Sequence, residues 1–254
     1  MRLELLTSPA VAERLRRDPG ILVPVGATEQ HGPDALIGTD HLCAEAIARR
    51  CGAAHDILVA PTLAYGMSQF HLGFPGTISL RPSTLTALAL DVIASLAATG
   101  FTRIYFLNGH GGNVAPIRCA IQEFYAARSL AGASTPVHCR LKSWWEMPRA
   151  DALRRELYGA QEGFHATPSE VAVTLAAHPA AIAPFERAPP TNTPGDILMH
   201  AGDNYYDAAD FRRRYPDGRV ISHSALATRE AGERLIALAA EDLAADFATF
   251  RASD

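Results

Sequence analysis

At 254 residues, with 48% hydrophobic side chains and a mean hydropathy of +0.01, the chain can bury a full core and lacks the composition of a fibrous or disordered protein. Its 23 basic and 27 acidic residues leave a net charge of -4, which argues against nucleic acid or an anionic membrane as the main partner, because both require a basic footprint. Cys43, Cys51, Cys119 and Cys139 show no C-x-x-C spacing and are expected as reduced, buried thiols of a cytoplasmic protein. Met1 to Thr7 has no basic head followed by a long apolar run, and no apolar stretch is long enough to span a bilayer.

Taken in order, Thr7 or Ser8 caps a short helix with Pro9 in its first turn, ended by Asp18-Pro19-Gly20. Ile21 to Val25 is a buried strand. The stretch that follows, GATEQHGPDALIGTDH, breaks at Gly26 and carries Glu29, His31, Asp40 and His41. If the backbone stays extended, period-two alternation puts Glu29 and His31 on one face. That mixture of imidazole and carboxylate suits zinc or manganese, while an ordinary polar loop is the plain alternative.

His41 to Cys51 has helical spacing, with a stop expected at Gly52, and Ile57 to Ala60 reads as a second strand. Tyr65 to Leu80 is a long loop bearing aromatics and His71, of a length that points to function. Ser83 is expected to cap a helix closed by Gly100. A strand over Arg103 to Leu107 runs into the Gly-rich exit Asn108 to Asn113, NGHGGN. That exit lacks the spacing of a dinucleotide or phosphate loop. A helix from Val114 to Ser129 and a strand from Pro136 to Leu141 lead to Trp144-Trp145, which either cover a core edge or wall a pocket.

Asp151 to Tyr158 and Pro168 to Ala177 are helical, the second with Thr167 as N-cap and Glu170 closing a capping box. Ala188 to Pro194 is loop-like, Asn204 to Gly218 is polar and aromatic, and an amphipathic helix runs from Thr228 to about Phe250. Arg212-Arg213-Arg214, the tight basic run, is a solvated face or an anion clamp. His55, His138, His178, His200 and His223 have no partner at ligand spacing. Alternating strands and helices predict an α/β fold, one domain over residues 1–254, with a mainly parallel sheet and its chemistry at the carboxyl ends of the strands.

The ordered set V-x-V-G-A-T-E-Q-H-G-P-(x5)-T-D, F-P-G-T-I-S-L, N-G-H-G-G-N, H-A-(x3)-E and P-D-G-R, from about Val23 to Leu235, resembles the creatininase family of metal hydrolases. The resemblance implies a three-layer α/β/α sandwich with a mostly parallel sheet, a homo-oligomer such as a hexamer, and two divalent metal ions (Zn, Mn or Fe). It places Glu29, Asp40 and His110 on one metal. His31, Asp40 and a further glutamate take the other, with Asp40 shared. In creatininase itself that glutamate lies two residues after the N-G-H histidine. Here Gly112 stands there, so the role passes to Glu170. Pro168 also departs, standing where many relatives carry an acidic residue.

His165 or Glu170 would then move the proton, and His71, Trp144, Trp145, Phe74 and the Asn204–Gly218 segment would wall the substrate pocket. Family members act on creatinine, formylamino-pyrimidine nucleotides, a cyclic inositol-derived ketone and a peptide end. The expectation is therefore an amidohydrolase of a small molecule with a non-peptide, cyclic C–N bond. The alternatives are a formamide or ring-opening hydrolase of a nucleotide precursor, or a non-catalytic metal-containing binding module.

Overall fold

The structure, a computed structural model, describes residues 1–181 and 207–252. Three six-residue strands form a parallel sheet in the order β1 (Gly20–Val25), β2 (Arg103–Asn108), β3 (His138–Ser143). Residues 57–60 do not make a strand of their own. Val59 bridges Leu22, whose N donates to Leu58 O and whose O accepts from Ala60 N, which lengthens the sheet by a single rung beside β1.

Period-two alternation sorts the strand side chains into two cores. Ile21, Val23, Val25, Ile104 and Phe106 face one helical layer, α3 (Pro82–Ala98) and α4 (Val114–Leu130). Leu22, Tyr105 and Leu107 face the other, which holds α2 (Thr39–Ala54), α5 (Pro148–Tyr158), α6 (Pro168–Ala177) and α8 (Arg229–Ala252). The result is the expected α/β/α sandwich. α1 (Ser8–Arg17) precedes the sheet, and α7 (Ala208–Arg214) lies within the polar and aromatic segment 204–218. The loop expected over 188–194, His200 and residues 204–206 fall outside the described residues.

Two expected helix boundaries shift. α2 does not stop at Gly52 but runs on to Ala54, because the glycine serves packing instead: a Cβ there would sit 2.6 Å from Val59 Cγ2. Ser83 lies inside the first turn of α3, whose N-cap is Arg81 and whose first residue is Pro82. Of the four cysteines, Cys43 and Cys51 are buried, Cys139 is half-buried and Cys119 is exposed on α4, so the expectation of four buried thiols fails at Cys119. No helix among the described residues is long and apolar enough to cross a membrane.

Half-buried Asp246 pins α8 to the sheet. It accepts from Tyr105 Oη at 2.6 Å on β2 and pairs with Arg140 at 3.0 Å and Lys142 at 3.4 Å on β3. Burial pushes its pKa up, but Tyr105, Lys142 and Arg140 outweigh that and hold it below the usual carboxylate value. A carboxyl whose pKa falls on folding stabilises the native state above its unfolded value, about 3.9, and loses that contribution as pH drops through the folded one. Asp246→Asn should therefore cost about 1–2 kcal/mol at neutral pH, and the gap to wild type should close below about pH 4 in parallel denaturant melts.

Candidate metal centre

Because β1 and β2 are parallel and in register up to Val25 opposite Asn108, their exit loops leave the sheet side by side. Asn113 of N-G-H-G-G-N staples them together, and Asn108 shapes its own loop. Asn113 Nδ2 donates to Gly26 O at 2.9 Å, its Oδ1 accepts from Met67 N at 3.1 Å, and Asn108 brackets His110 through both its backbone N and O. Gly109 is required by contact, since a Cβ would collide with the carbonyl of Asp40. A side chain at Gly112 would likewise run into the carbonyl of Met67, so the loop has no room there for a glutamate.

Asp40 stands in the first turn of α2 and Glu170 in the first turn of α6, where helix N-termini favour negative charge. The capping box forms as expected: Thr167 Oγ1 accepts from Glu170 N, and Glu170 Oε1 accepts from Thr167 N at 2.6 Å. The same carboxylate also faces the centre, with Oε1 3.7 Å from His31 Nε2. Glu29, Asp40 and His110 form one group, and His31, Asp40 and Glu170 a second, each with ligand atoms within 4.8 Å of one another. Glu29, His31 and His165 form a third. His41 is in none of them; its ring lies against Gly38.

Both oxygens of Glu29 and Oδ2 of Asp40 are buried without a hydrogen-bond partner, the Ser68 hydroxyl near Glu29 failing to close one of good geometry. Orphaned carboxylate oxygens at this depth are costly, and a hard or borderline divalent cation satisfies them. The imidazoles fit too. His31 Nδ1 donates to Glu29 O at 3.1 Å, which turns Nε2 toward Asp40 Oδ1 at 3.1 Å. His110 Nε2 donates to Met67 O at 2.8 Å, which turns Nδ1 toward Asp40 Oδ2 at 3.2 Å and Glu29 Oε1 at 3.4 Å. An outer N–H anchored on a carbonyl with the inner nitrogen aimed at the centre is the arrangement of metal-ligating histidine.

The electrostatics state the same demand for positive charge. Burial pushes Glu29 and Glu170 up to about 7. Burial also opposes charge on His31 and His110, but Asp40 and Glu29 around them win and raise both to about 10. His71, by contrast, is driven down to about 3 by burial and by His110 and His31, and burial with His71 and His31 holds His165 well below 6.5.

The centre opens into a pocket of about 630 Å³ lined by Glu29, Asp40, His71, His110, His165 and Glu170, with Trp144 and Trp145 on its wall. Trp144 is at once buried in the core and on the pocket wall, so both readings of the tryptophan pair apply. Phe74 is not on the wall. It packs on Phe211, with Arg212 stacked 4.0 Å over its ring. Arg213 and Arg214 pair with Asp210, and none of the three arginines lines the pocket. Phe70, Arg154 and Glu162 do line it, and no local pattern in the sequence marks them.

Fold and centre together define an α/β/α protein with a metal-type donor set where its strands end. A family model described as creatinine amidohydrolase (creatininase) matches residues 4–247, and the chain belongs to the creatininase family. The creatinine amidohydrolase of Pseudomonas putida is 30% identical over 242 residues, covering 88% of this chain and 86% of that one. The mycofactocin precursor peptide peptidase of Mycolicibacterium smegmatis is 45% identical over 109 residues, 41% of this chain, and the match spans 44% of that relative's length, less than half. Creatininase in its manganese form superposes with a TM-score of 0.82 at 27% identity, covering 99% of each chain.

Because Asp40 belongs to both groups and His110 to one, the two positions should part on removal. Asp40→Ala should lose both metal equivalents and His110→Ala one, read by elemental analysis of the purified, correctly folded variants.

Proposed function

We propose that this chain is a metal-dependent amidohydrolase that cleaves the C–N bond of a small, non-peptide, cyclic amide. The observation that carries the reading is the pair of overlapping donor groups sharing Asp40, floored by carboxylate oxygens that no hydrogen bond satisfies. Glu29, Asp40 and His110 would hold one divalent ion, and His31, Asp40 and Glu170 the other, with Zn, Mn or Fe suited to this mixed set. Two such ions supply Lewis acidity toward a carbonyl oxygen and lower the pKa of water toward about 7.

The side chains do the rest. His165 Nε2 donates to Gln30 O at 2.8 Å, so its Nδ1 lone pair faces inward, 3.5 Å from Glu29 Oε1. That nitrogen can take the proton of the attacking water and return it to the departing amine, as general acid–base catalysis requires. Glu170 is the poorer shuttle, since one of its oxygens is committed to the capping box. The apolar walls given by Trp144 and Trp145 suit a flat ring, and His71 sits beside the reacting centre.

The same reading carries one creatininase-like domain over 1–254, a homo-oligomeric assembly and a cytoplasmic location. The family likeness and the unpaired, buried Cys43 and Cys51 support these. A peptide bond is the second reading, favoured by the higher identity to the peptidase over its shorter match. Mass spectrometry of metal-loaded protein incubated with lactams, creatinine, cyclic ureides, formamides and short peptides should show one cyclic amide gaining one water, and Asp40→Ala should abolish the gain. Turnover of peptides alone would transfer the assignment to the second reading, and turnover of nothing at full metal content would end it.

A further inference from the structure

Four imidazoles crowd the centre, and three of them obey one rule. His31, His110 and His165 each commit the outer N–H to a backbone carbonyl (Glu29, Met67 and Gln30) and turn the second nitrogen inward, free to give its lone pair to an ion. His71 has no such carbonyl. Its outer nitrogen, Nδ1, lies 2.9 Å from Gln30 Nε2, while its inner nitrogen, Nε2, faces Glu29 Oε1 at 3.4 Å.

The orientation of the Gln30 amide settles which partner donates. Gln30 Oε1 accepts from Gly32 N at 2.8 Å, and Nε2 lies 3.0 Å from Gly218 O. Turning the amide over would set NH2 against an N–H and oxygen against a carbonyl, so the assignment is fixed by its neighbours. Nε2 then has two hydrogens and three neighbours within reach: Gly218 O, His71 Nδ1 and His165 Nε2 at 3.0 Å. His165 Nε2 already donates to Gln30 O and cannot accept. The two hydrogens therefore go to Gly218 O and to His71 Nδ1.

We propose that Gln30 is a positioning residue that locks His71 in its Nε2–H form, making it the one ring of the four that aims a proton at the centre once ions occupy it. His71 thereby points an N–H at the Glu29 carboxylate, 3.4 Å away and short of a hydrogen bond of good geometry, and is not a metal ligand, while the inward nitrogens of the other three rings are left for ions or protons. Gly218 of the P-D-G-R segment belongs to the same device. It supplies the carbonyl at φ +87°, and a Cβ there would collide with the Gln30 amide oxygen. A motif distant in the chain is thus tied to the site through one glutamine.

Histidine tautomers are read directly by long-range proton–nitrogen NMR on protein labelled with 15N-histidine and loaded with zinc, with the His71→Asn spectrum giving the assignment. Wild type should show His71 protonated on Nε2 alone. Gln30→Glu replaces the donor with an acceptor and should switch His71 to the Nδ1–H form, with a fall of about 10–100-fold in zinc affinity by chelator competition. A wild-type His71 protonated on Nδ1, or on both nitrogens, overturns the proposal, and so does a folded Gln30→Glu protein whose His71 stays Nε2–H. The wild-type spectrum decides even if the variant does not fold. The inference concerns the centre of the proposed hydrolase, but the spectrum is indifferent to turnover, so a failed substrate screen and a failed tautomer assignment are separate results.

Discussion

Three carboxylates, Glu29, Asp40 and Glu170, are buried around one point with imidazoles beside them and no lysine or arginine paired to any of them among the described residues. Burying one ionised carboxylate costs several kcal/mol unless positive charge or hydrogen bonds compensate, and three together multiply the demand. The rest of the molecule makes the crowding sustainable. Two of the three sit in first helical turns, where the amide dipoles favour an anion, and β1 and β2 deliver the third with His31 and His110 from a rigid, doubly covered sheet. The final neutralisation falls to something positive, which is why His31 and His110 are pushed toward protonation and why the donor set reads as a cation site.

The backbone carries as much of the specificity as the side chains. Each inward nitrogen is chosen by what its ring meets on the outside: the carbonyls of Glu29, Met67 and Gln30, or the amide of Gln30. Met67 comes from the long loop between α2 and α3, and its carbonyl also occupies the space a side chain at Gly112 would need. Position 112 is thus closed to a glutamate by packing, and Glu170 is the carboxylate that stands beside His31 and Asp40. The loop closes against the N-G-H-G-G-N exit, and the carboxylate enters from a helix start instead.

The fold was legible because its signals are local. Apolar strands of six residues, the proline and glycine punctuation and the Thr167–Glu170 capping box each declare themselves within a few positions. The residues that the structure gathers into its donor groups were legible from the ordered motifs, and Glu29 with His31 from alternation after β1. What stayed hidden depends on contacts between distant segments. Gly52 looked like a helix stop and is instead a packing site against Val59; Phe74 looked like pocket wall and is paired with Phe211 and Arg212. Glu162 lines the pocket yet lies in a stretch with no periodicity to mark it.

Gln30 shows most sharply where sequence reading stops. It sits in the middle of the most informative stretch of the chain, between two candidate ligands, and an amide side chain there suggests little by itself. Its meaning comes from three partners scattered over the sequence: the N–H of Gly32, the carbonyl of Gly218 and the ring of His71. Each partner has a fixed sense as donor or acceptor except the imidazole, whose sense is whatever the others leave over. Residue type at position 71 therefore says only that a proton can be carried; the carbonyl at position 218 says where. A histidine's role in a crowded centre is a property of the hydrogen-bond chain behind it, and that chain exists only once the fold has closed.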